Sequence, residues 1–457
     1  INENPPISFN SENKIIPSSY LLQNNILKYK VENNDGDIII DPTLSWSTYV
    51  GGNDVDYCGT VTNDNLGNIF MVGSSSSIAN IATTGAYQTI FAGGNMDCFI
   101  AKFNSSGSKL WATYFGGSSD ESPGASCIDY NGNICLTGQT TSQNGIATTG
   151  AFQTSIPTGQ TTTFLCKFST LGLRIWSTYF PAQGGQAINI DANNNIIFGG
   201  WTSYNSNLPT IGAFKTSMAS QDNADGFLAK FNSTGNRIWS TFYGGKYMDD
   251  IKALTIDTSG NIIVFGGTGS DTGIATPSSF KSSYVGTPFT TQNESFIAKF
   301  NANGSRLWGT YFGGSNDDNI FAATSDKAGN IYFTGATNSL NNIATSGAYK
   351  PTFTDSVDVF LSKFNGAGNI VWSTYYGGYG REYPSWQSIK LDKIGNIFVS
   401  GQTTSSSNIA TNGAYQTSIL GYDSDAFLSE FSNSGNLIYG TYFGGTGQDI
   451  GRSVAID

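Results

Sequence analysis

The 457-residue sequence contains no histidine. Without an imidazole, Ser-His-Asp and Cys-His nucleophile chemistry is excluded, and the commonest protein ligand of zinc and non-haem iron is missing. Charged residues are also scarce, at 12%, and the 33 acidic residues outnumber the 22 basic ones. Nucleic acids bind to basic grooves, which this composition does not supply. We therefore expect no nucleic-acid partner and a surface made mostly of Asn, Ser, Thr and Gly, as in extracellular proteins.

Cysteine is nearly absent, and the five cysteines all lie in the N-terminal half without a CxxC pair. We expect them to be small apolar residues inside strands rather than a disulfide framework. No apolar run reaches the roughly 18–20 residues that span a bilayer as a helix, so we expect a chain that does not span a membrane. The opening INENPP is polar and resembles no export signal. We expect either a mature chain or a piece of a longer one.

The sequence instead contains one block many times over, exemplified by SRLWGTYFGG and NIVWSTYYGG. Tryptophan marks the block six times and tyrosine once, at intervals of 63–69 residues. These positions are Trp46, Trp111, Trp176, Trp239, Trp308, Trp372 and Tyr439. A fixed period of this kind is the signature of a repeat architecture, in which many residues form one unit.

The unit from Ile320 to Tyr376 contains four strand-like runs rich in β-branched and aromatic residues. Their predicted bounds are 320–325, 331–337, 358–364 and 370–376. The short turns DKAGN and NGAGN place Gly or Asn where a tight hairpin requires a positive φ, whereas a long polar loop joins the second and third runs. No stretch has helical periodicity, so each unit is predicted to be a four-stranded antiparallel meander.

Such a sheet cannot bury both of its faces alone, and a ring of sheets leaves only short, protected edges. We predict an all-β fold, a β-propeller with six full blades and the tryptophans packed between them. Residues 449–457 resemble a first strand, while ILKYKV and LSWSTYV near the N-terminus resemble a third and a fourth strand. We therefore predict that these segments form a composite seventh blade that closes the ring, and that the propeller domain comprises residues 44–457. The alternative is a last blade that is incomplete. Residues 1–43 are predicted to be the tail of a preceding β-rich domain, outer strands of the closing blade, or both.

The motifs W-S-T-Y-F-G-G, D-x-x-G-N-I, T-x-G-A-Y-Q and D-x-F-x-x-K-F together resemble the SBBP-type seven-bladed β-propeller repeat of bacterial secreted proteins, over about residues 44–457. The resemblance implies an exported, cell-surface or extracellular protein, often delivered by the type IX secretion system. The family has no established general activity. The resemblance therefore implies a fold and a location rather than a reaction.

The leading hypothesis for function is a non-enzymatic structural or adhesive role, because the blades are weakly differentiated. The alternative is a module that binds glycans or surface proteins through the face with the long loops, since binding usually evolves on loops held by a rigid scaffold. A polysaccharide-acting enzyme is a third hypothesis. It is disfavoured because the repeated arginines before the tryptophans lie on the opposite, short-turn face, where they cannot serve such a pocket. These are Arg174, Arg237 and Arg306.

Residues that break the repeat are the candidate ligand-binding residues. Trp201 ends a second strand where other units have Ser or Gln, and Trp386 begins a first strand beside Tyr379, Arg381 and Tyr383. Both tryptophans are predicted to face the long-loop side, with Trp386 near the mouth of the central channel. Exposed aromatic side chains and an arginine can stack on sugar rings or contact a protein. The alternative is that they fill local gaps.

Carboxylates recur eight residues before the hairpin aspartates, and Gln183 and Pro384 interrupt the series. Its members are Asp56, Glu121, Asp249, Asp318 and Asp449. We favour a turn-capping role, and keep as an alternative local Ca²⁺ sites at Asp249–Asp250 and Asp317–Asp318, since Ca²⁺ takes six to eight oxygen ligands. No other cofactor is predicted. Ser356, in Asp355-Ser356-Val357, resembles the O-glycosylation sequon of bacteria that use type IX secretion.

Overall fold

The computed structural model describes residues 44–204, 207–220, 223–285, 294–421 and 423–456, together with the backbone of five short strands before residue 41. Every regular element in these residues is a β-strand. Within this described part, no helix suited to crossing a bilayer is found.

Five strands precede the repeats: β1 (Ser8–Phe9), β2 (Ile15–Ile16), β3 (Ser18–Gln23), β4 (Ile26–Val31) and β5 (Ile39–Ile40). β1 pairs with β2 and β5, whereas β3 and β4 form a separate antiparallel hairpin. The side chains of residues 1–43 lie outside the described residues, so the two predicted roles of this segment remain predictions.

Six four-stranded antiparallel blades follow, each built from four consecutive strands in sequence order. The first three blades are β6 (Asp56–Asn63), β7 (Ile69–Ser75), β8 (Asp97–Phe103) and β9 (Lys109–Phe115); β10 (Glu121–Ile128), β11 (Ile134–Thr140), β12 (Thr162–Phe168) and β13 (Arg174–Phe180); and β14 (Gly184–Ile190), β15 (Ile196–Thr202), β16 (Asp225–Phe231) and β17 (Arg237–Tyr243).

The remaining three blades repeat the same pattern. They are β18 (Ala253–Ile256), β19 (Ile262–Thr268), β20 (Glu294–Phe300) and β21 (Arg306–Phe312); β22 (Asp318–Ser325), β23 (Ile331–Thr337), β24 (Asp358–Phe364) and β25 (Ile370–Tyr376); and β26 (Glu382–Leu391), β27 (Ile397–Thr403), β28 (Asp425–Phe431) and β29 (Leu437–Phe443). The first strands of neighbouring blades contact one another and line a central channel. The predicted all-β propeller of four-stranded blades is confirmed.

The recurring D-x-x-G-N turn between first and second strands is built around its aspartate. Asp129 accepts hydrogen bonds from the backbone N–H groups of Asn131 and Asn133, both at 2.9 Å, and Gly132 adopts φ +79°. Lys167 of the third strand forms an ion pair with the same carboxylate at 2.7 Å. Burial opposes ionisation, but the hydrogen bonds from Lys167 and Asn133 hold the pKa of Asp129 below its usual value. The repeated aspartate and lysine therefore stabilise the first four blades internally, whereas Lys363 of the fifth blade donates to Asn433 Oδ1 of the next blade.

The repeated tryptophans join each blade to the next. Trp176 lies over Gly235 of the following blade, where an added Cβ would stand 2.9 Å from the indole. Its Nε1 donates to the carbonyl of Ser233 at 3.0 Å. Glycine at this turn is required twice over, because Gly235 has φ +87° and because the indole occupies the space of a side chain. The predicted packing of tryptophan between blades is confirmed.

The long loop of each blade covers the outer edge of its own sheet. In the first blade, Thr83 N–H donates to the Ala112 carbonyl at 2.9 Å, and Tyr114 N–H donates to the Gln88 carbonyl at 3.0 Å. These bonds satisfy backbone groups of β9 that an exposed edge would leave unpaired. The loop aromatic Tyr87 then reaches the next blade, where it contacts Phe168 at a centroid distance of 5.6 Å. The loops are thus part of the scaffold as well as of the surface.

The described residues form six complete blades rather than the predicted seven. The C-terminal segment 449–456 lies where the first strand of a seventh blade would lie, with Ser453 Oγ 3.2 Å from the Gln387 carbonyl of β26 and 3.4 Å from the Val61 carbonyl of β6. It forms no ladder, because no second strand lies beside it among the described residues. At the other end, Trp46 Nε1 donates to the Ser105 carbonyl at 3.0 Å, in the manner of the later tryptophans.

The cysteines lie as predicted, inside strands. All five are free thiols, and three of them are fully buried: Cys98, Cys135 and Cys166. Cys166 stands between Leu136 and Ser177 in the ladder, where Ala229 stands between Phe198 and Ser240 in the next blade. These thiols are therefore packing residues.

Candidate functional site

A bulge in β26, the first strand of the sixth blade, contacts the first strand of the second blade. The ladder between β26 and β27 is interrupted from Pro384 to Ile389, a longer bulge than the single extra residue seen in β10. Gln387 adopts φ +56° in this bulge, and its Nε2 donates to the carbonyl of Ser126 on β10 at 3.0 Å. The bulge thus joins the sixth blade to the second, and residues of the bulge line two cavities, Trp386 one and Gln387 the other.

The cavity on the long-loop side, here called the mouth cavity, has a volume of about 250 Å³. It is lined by Cys58, Gly59, Ser122, Pro123, Gly124, Gln139, Gly185, Gln186, Trp386 and Arg452. The half-buried Trp386 is held from behind by Phe321, whose ring meets it edge-on at 5.7 Å. An aromatic surface, two amides and one guanidinium therefore face a space large enough for a single small ring.

The cavity on the short-turn side is smaller, at about 100 Å³, and two lysines line it. Lys252 donates to Asn319 Oδ1 at 3.0 Å and pairs with Asp250 at 3.8 Å. Burial lowers the pKa of Lys390. Because the space is narrow, it offers less room for a ligand than the mouth cavity.

A second depression of about 350 Å³ adjoins the mouth cavity, since Ser122 and Gln139 line both. Here called the rim groove, it runs outward over the first and second blades and includes the exposed ring of Tyr57. Asp120 lies on its wall and accepts a hydrogen bond from Asn95 Nδ2 at 3.0 Å. Cavity and groove together form one continuous channel-to-rim surface with an aromatic side chain in each part.

The predicted ligand-binding residues all lie toward the long-loop side, but only Trp386 lines the mouth cavity. Trp201 lies against Gly184, where an added Cβ would stand 2.2 Å from its Nε1. Tyr379 is 72% exposed. Arg381 is exposed and its backbone N–H donates to Thr404 Oγ1 at 2.8 Å, while Tyr383 pairs with Gln402 in the ladder. Their role in binding stays a prediction.

The carboxylates of the acidic series cap the Gly-Gly turns between blades. Asp249 Oδ2 accepts hydrogen bonds from the Gly245 N–H at 2.7 Å and Ser270 Oγ at 2.8 Å, and its Oδ1 accepts one from Thr268 Oγ1. Asp318 accepts the equivalent bonds from Gly314, Ser339 and Thr337. Burial raises the pKa of Asp249 to about 7 and that of Asp318 to about 6, although these hydrogen bonds oppose the shift.

The prediction that Pro384 interrupts the acidic series was wrong, because the register of β26 differs from that of the other first strands. Glu382, two residues earlier, caps the turn by accepting from the Gly378 N–H at 3.1 Å, and Thr403 Oγ1 donates to it at 2.7 Å. The longer glutamate side chain also caps in the second blade, where Glu121 accepts from Gly117 N–H at 2.8 Å. Gln183 does depart from the pattern and accepts hydrogen bonds from Ser203 instead.

The two remaining aspartates of the Ca²⁺ hypothesis differ from each other. The carboxylate of Asp250 accepts a hydrogen bond from the Gly267 N–H at 2.8 Å. Asp317 accepts one through its backbone carbonyl, from Asn338 N–H at 3.1 Å, whereas its buried Oδ1 receives none from the described residues. Among the described residues, no group of three or more Asp, Glu or Cys side chains has the arrangement of a metal site. The Ca²⁺ sites at these residues stay a prediction, and the contacts of Asp249 and Asp318 fit turn capping.

Two further residues, Ser356 and Cys58, carry groups that could be modified or could react. Ser356 is exposed, and its hydroxyl donates to Asp355 Oδ1 at 3.2 Å, so the predicted glycosylation position is accessible. Cys58 lines the mouth cavity, but burial raises the pKa of its thiol to about 11, opposed by the positive charge of Arg452. A thiol of this kind is protonated at neutral pH and a poor nucleophile.

Sequence reasoning missed Arg452, Gln186 and Tyr57. Arg452 lies in the last strand-like segment, which was assigned to ring closure alone, and Gln186 follows the glycine pair of an atypical third unit. Both residues lie in segments that depart from the repeat, and this departure is the signal that could have identified them. The direction of each side chain depends on the register of a first strand, which the sequence did not fix.

Comparison with known proteins supports the repeat. An SBBP β-propeller repeat model matches residues 45–81. An uncharacterised WD repeat-containing protein of Acanthamoeba polyphaga mimivirus is 25% identical over 308 residues, which are 57% of this chain and 22% of that protein. The match therefore spans about a fifth of that relative's length.

Two solved structures are similar at low identity. The WD40 domain of Neurospora crassa Pan2 is 11% identical, with a TM-score of 0.39 over 84% of this chain and 86% of that one. A mutant of the NanB sialidase of Streptococcus pneumoniae is 9% identical, with a TM-score of 0.42 over 77% and 65% of the two chains. With the strand topology and the family match, the chain is a β-propeller that carries an SBBP-type repeat.

Proposed function

We propose that the protein is a non-enzymatic β-propeller with a structural or adhesive role outside the cell or at the bacterial surface. The observation that carries this proposal is the engagement of its reactive groups by the scaffold. The lysines of the third strands pair with turn aspartates, and the carboxylates between blades cap turns. Groups held in this way are not free to act as an acid or a nucleophile on a substrate.

Export by the type IX system is part of this proposal, supported by the resemblance and by the SBBP repeat at residues 45–81. The test is surface labelling of intact cells that produce the protein, with protease treatment before and after lysis. Protein that is digested only after lysis would contradict the proposed location. Turnover of a polysaccharide by the purified protein would contradict the absence of enzymatic activity.

A second candidate function is the binding of glycans or of other surface proteins at the long-loop face. It is favoured by the mouth cavity and the rim groove, which place Trp386 and Tyr57 on one continuous surface. The test is a glycan array and a pull-down with the purified protein, followed by Trp386→Ala and Trp201→Ala. We expect Trp386→Ala to abolish binding, because its ring lines the cavity. Undiminished binding by both variants would contradict this use of the face.

We also propose that the ring is completed by a seventh, composite blade. Phe443 of β29 is 45% exposed, whereas Phe180 and Phe312 at the equivalent position are fully buried by the blade that follows them. Asp449 N–H donates to the Ser424 carbonyl at 2.7 Å, as Asp249 N–H does to the Ala224 carbonyl at 2.8 Å. The C-terminal segment thus begins a blade in the register of the others. The hairpin of β3 and β4 would supply its two middle strands, and the segment around Trp46 its outer strand.

A further inference from the structure

The charge within the mouth cavity has one sign. Arg452 is the only charged residue among those that line it. Its side chain is exposed, and no described residue forms an ion pair or a side-chain hydrogen bond with its guanidinium. The three repeated arginines are instead held by backbone carbonyls. Arg174 donates to Ile146 and Arg306 to Ile274, both at 3.0 Å, and Arg237 donates to Leu208 at 2.9 Å. Arg452 is therefore a free bidentate donor, the geometry that suits a carboxylate.

The wall beside this cation provides an aromatic surface. Trp386 is half-buried and is fixed by Phe321 behind it. A fixed indole with one accessible side stacks on the apolar side of a pyranose ring without losing conformational freedom. Since the cavity measures about 250 Å³, it fits one such ring rather than an extended chain.

One residue that lines the cavity has a buried acceptor without a donor. Gln186, which also lines the short-turn cavity, has an Oε1 that is buried and receives no hydrogen bond from the described residues. A buried acceptor without a donor is unfavourable, and a hydrogen bond from a ligand hydroxyl group would remove that cost. Gln139 and Ser122 add further polar groups at the boundary with the rim groove. Hydroxyl donors at several positions around one ring are a property of sugars.

The rim groove determines the direction of the ligand. Asp120 lies on its wall, and hydrogen bonds from Asn95 hold the pKa of that carboxyl below its usual value. A negative charge there repels a carboxylate, whereas the exposed ring of Tyr57 can stack on a neutral sugar. An acidic sugar therefore has its best position in the mouth cavity, with the next, neutral sugar over Tyr57.

We propose that the mouth cavity binds the terminal hexuronic acid residue of a glycan, with the carboxylate on Arg452, the ring on Trp386 and a hydroxyl on Gln186. This inference deepens the second candidate function and depends on glycan binding at the long-loop face. A protein terminus could also bring a carboxylate to Arg452, but it would supply no ring for Trp386 and fewer hydroxyl donors for Gln186.

The test is calorimetric titration of the full chain with an oligosaccharide that ends in galacturonic acid and, separately, with its methyl ester. We expect the acid to bind at least about 10-fold more tightly than the ester, since a hydrogen bond to a charged group contributes about 1.5–3 kcal/mol. Arg452→Gln should remove this difference between acid and ester. Lys246→Gln is the matched control, an exposed cation on the long-loop side outside the cavity, and should bind like the wild type. Arg381→Gln tests the other candidate arginine on that side.

Four results would overturn the inference. Equal binding of acid and ester would remove the role of the carboxylate, and a loss in Arg381→Gln rather than Arg452→Gln would move the site to the exposed loop. Binding of peptides through their terminal carboxylate, with no glycan bound, would assign the cavity to protein partners. Neutral glycans that bind in a Trp386-dependent manner without any preference for the acid would leave glycan binding intact while contradicting this inference.

Discussion

At the residue scale, carboxylates at two repeated positions have pKa values that are shifted in opposite directions. Turn aspartates such as Asp129 meet a lysine and several N–H donors, so their pKa falls. Turn-capping carboxylates such as Asp249 meet only neutral donors in a buried place, so their pKa rises to about 7. The spacing of the sequence located both the turn aspartates and the turn-capping carboxylates. It could not predict which of them is buried among neutral donors, because burial at the capping position comes from the neighbouring blade.

A pH dependence follows for Asp249. Its folded-state pKa is raised by burial, so the native state binds a proton more tightly than the unfolded chain, and the resulting stability is present at low pH and lost as the pH rises through about 7. We expect the free energy of unfolding of the wild type, relative to Asp249→Asn, to fall by on the order of 2 kcal/mol between pH 5 and pH 8. Urea unfolding at both pH values measures this difference.

The control is Asp271→Asn, which removes an exposed carboxylate near the same turn. Its stability relative to the wild type should be the same at pH 5 and pH 8. If the Asp249→Asn difference is also independent of pH, then the carboxylate is not buried in the manner described.

At the scale of elements, the predicted strands of the unit ending at Tyr376 agree closely with the structure. β23, β24 and β25 have the predicted bounds, whereas β22 begins at Asp318, two residues before its prediction. Local turn chemistry explains the agreement, because each D-x-x-G-N and N-x-x-G-N sequence fixes the ends of two strands. The bulge of β26 was not predicted, since its contact between Gln387 and Ser126 joins residues 261 positions apart.

The tryptophan between blades should dominate the stability of each interface. Trp176 is only 8% exposed and its Nε1 donates to the next blade, so Trp176→Ala removes both burial and a hydrogen bond. We expect a loss of about 3 kcal/mol or more in the free energy of unfolding. The neighbouring Ile175 is 48% exposed, and Ile175→Ala should cost less than about 1 kcal/mol in the same denaturant measurement. Equal losses would show that the indole is not the main contact.

The sixth blade lacks the ion pair that the first four blades form between a third-strand lysine and the turn aspartate. Glu430 stands where lysine stands in the other blades; burial raises its pKa, while Asn396 donates to it and the nearby Asp392 repels it. Glu430→Lys should create an ion pair with Asp392 like the one between Lys102 and Asp64 at 3.2 Å. We expect the free energy of unfolding to rise by about 0.5–1 kcal/mol and the melting temperature to rise slightly.

The comparison variant is Glu430→Gln, which removes the repulsion without creating a pair. It should gain less than Glu430→Lys when both are measured by calorimetry. A lysine variant less stable than the wild type would mean that Asp392 is oriented away from this position.

At the scale of the whole molecule, five of the hydrophobic clusters join successive blades, and a sixth lies on the first blade with Val50 beside it. Among the described residues no such cluster joins the sixth blade to the first. The C-terminal segment contacts both blades but fills only the innermost part of the space between them.

Closure by the N-terminal segment is therefore testable by deletion. Removal of residues 1–43 should lower the melting temperature by several degrees and increase hydrogen exchange in β28 and β29, because in the proposed seventh blade the hairpin of β3 and β4 packs against the side of the sixth blade on which Phe443 is 45% exposed. Removal of residues 1–17 alone, which leaves that hairpin intact, should change neither. An unchanged melting temperature after the longer deletion would contradict the composite blade.

The sequence by itself determined the all-β class, the strand bounds, the turn chemistry and the tryptophan packing, because these depend on contacts that recur at a fixed spacing in every unit. Only the tertiary structure decided which residues form the mouth cavity. Trp386, Gln186 and Arg452 come from the sixth blade, the third blade and the C-terminal segment, and the ring brings them together at positions where each departs from the repeat. The repeat period predicts the residues that all blades share. The binding surface depends instead on residues that differ between blades, and on the register of each first strand, which sets the direction of its side chains.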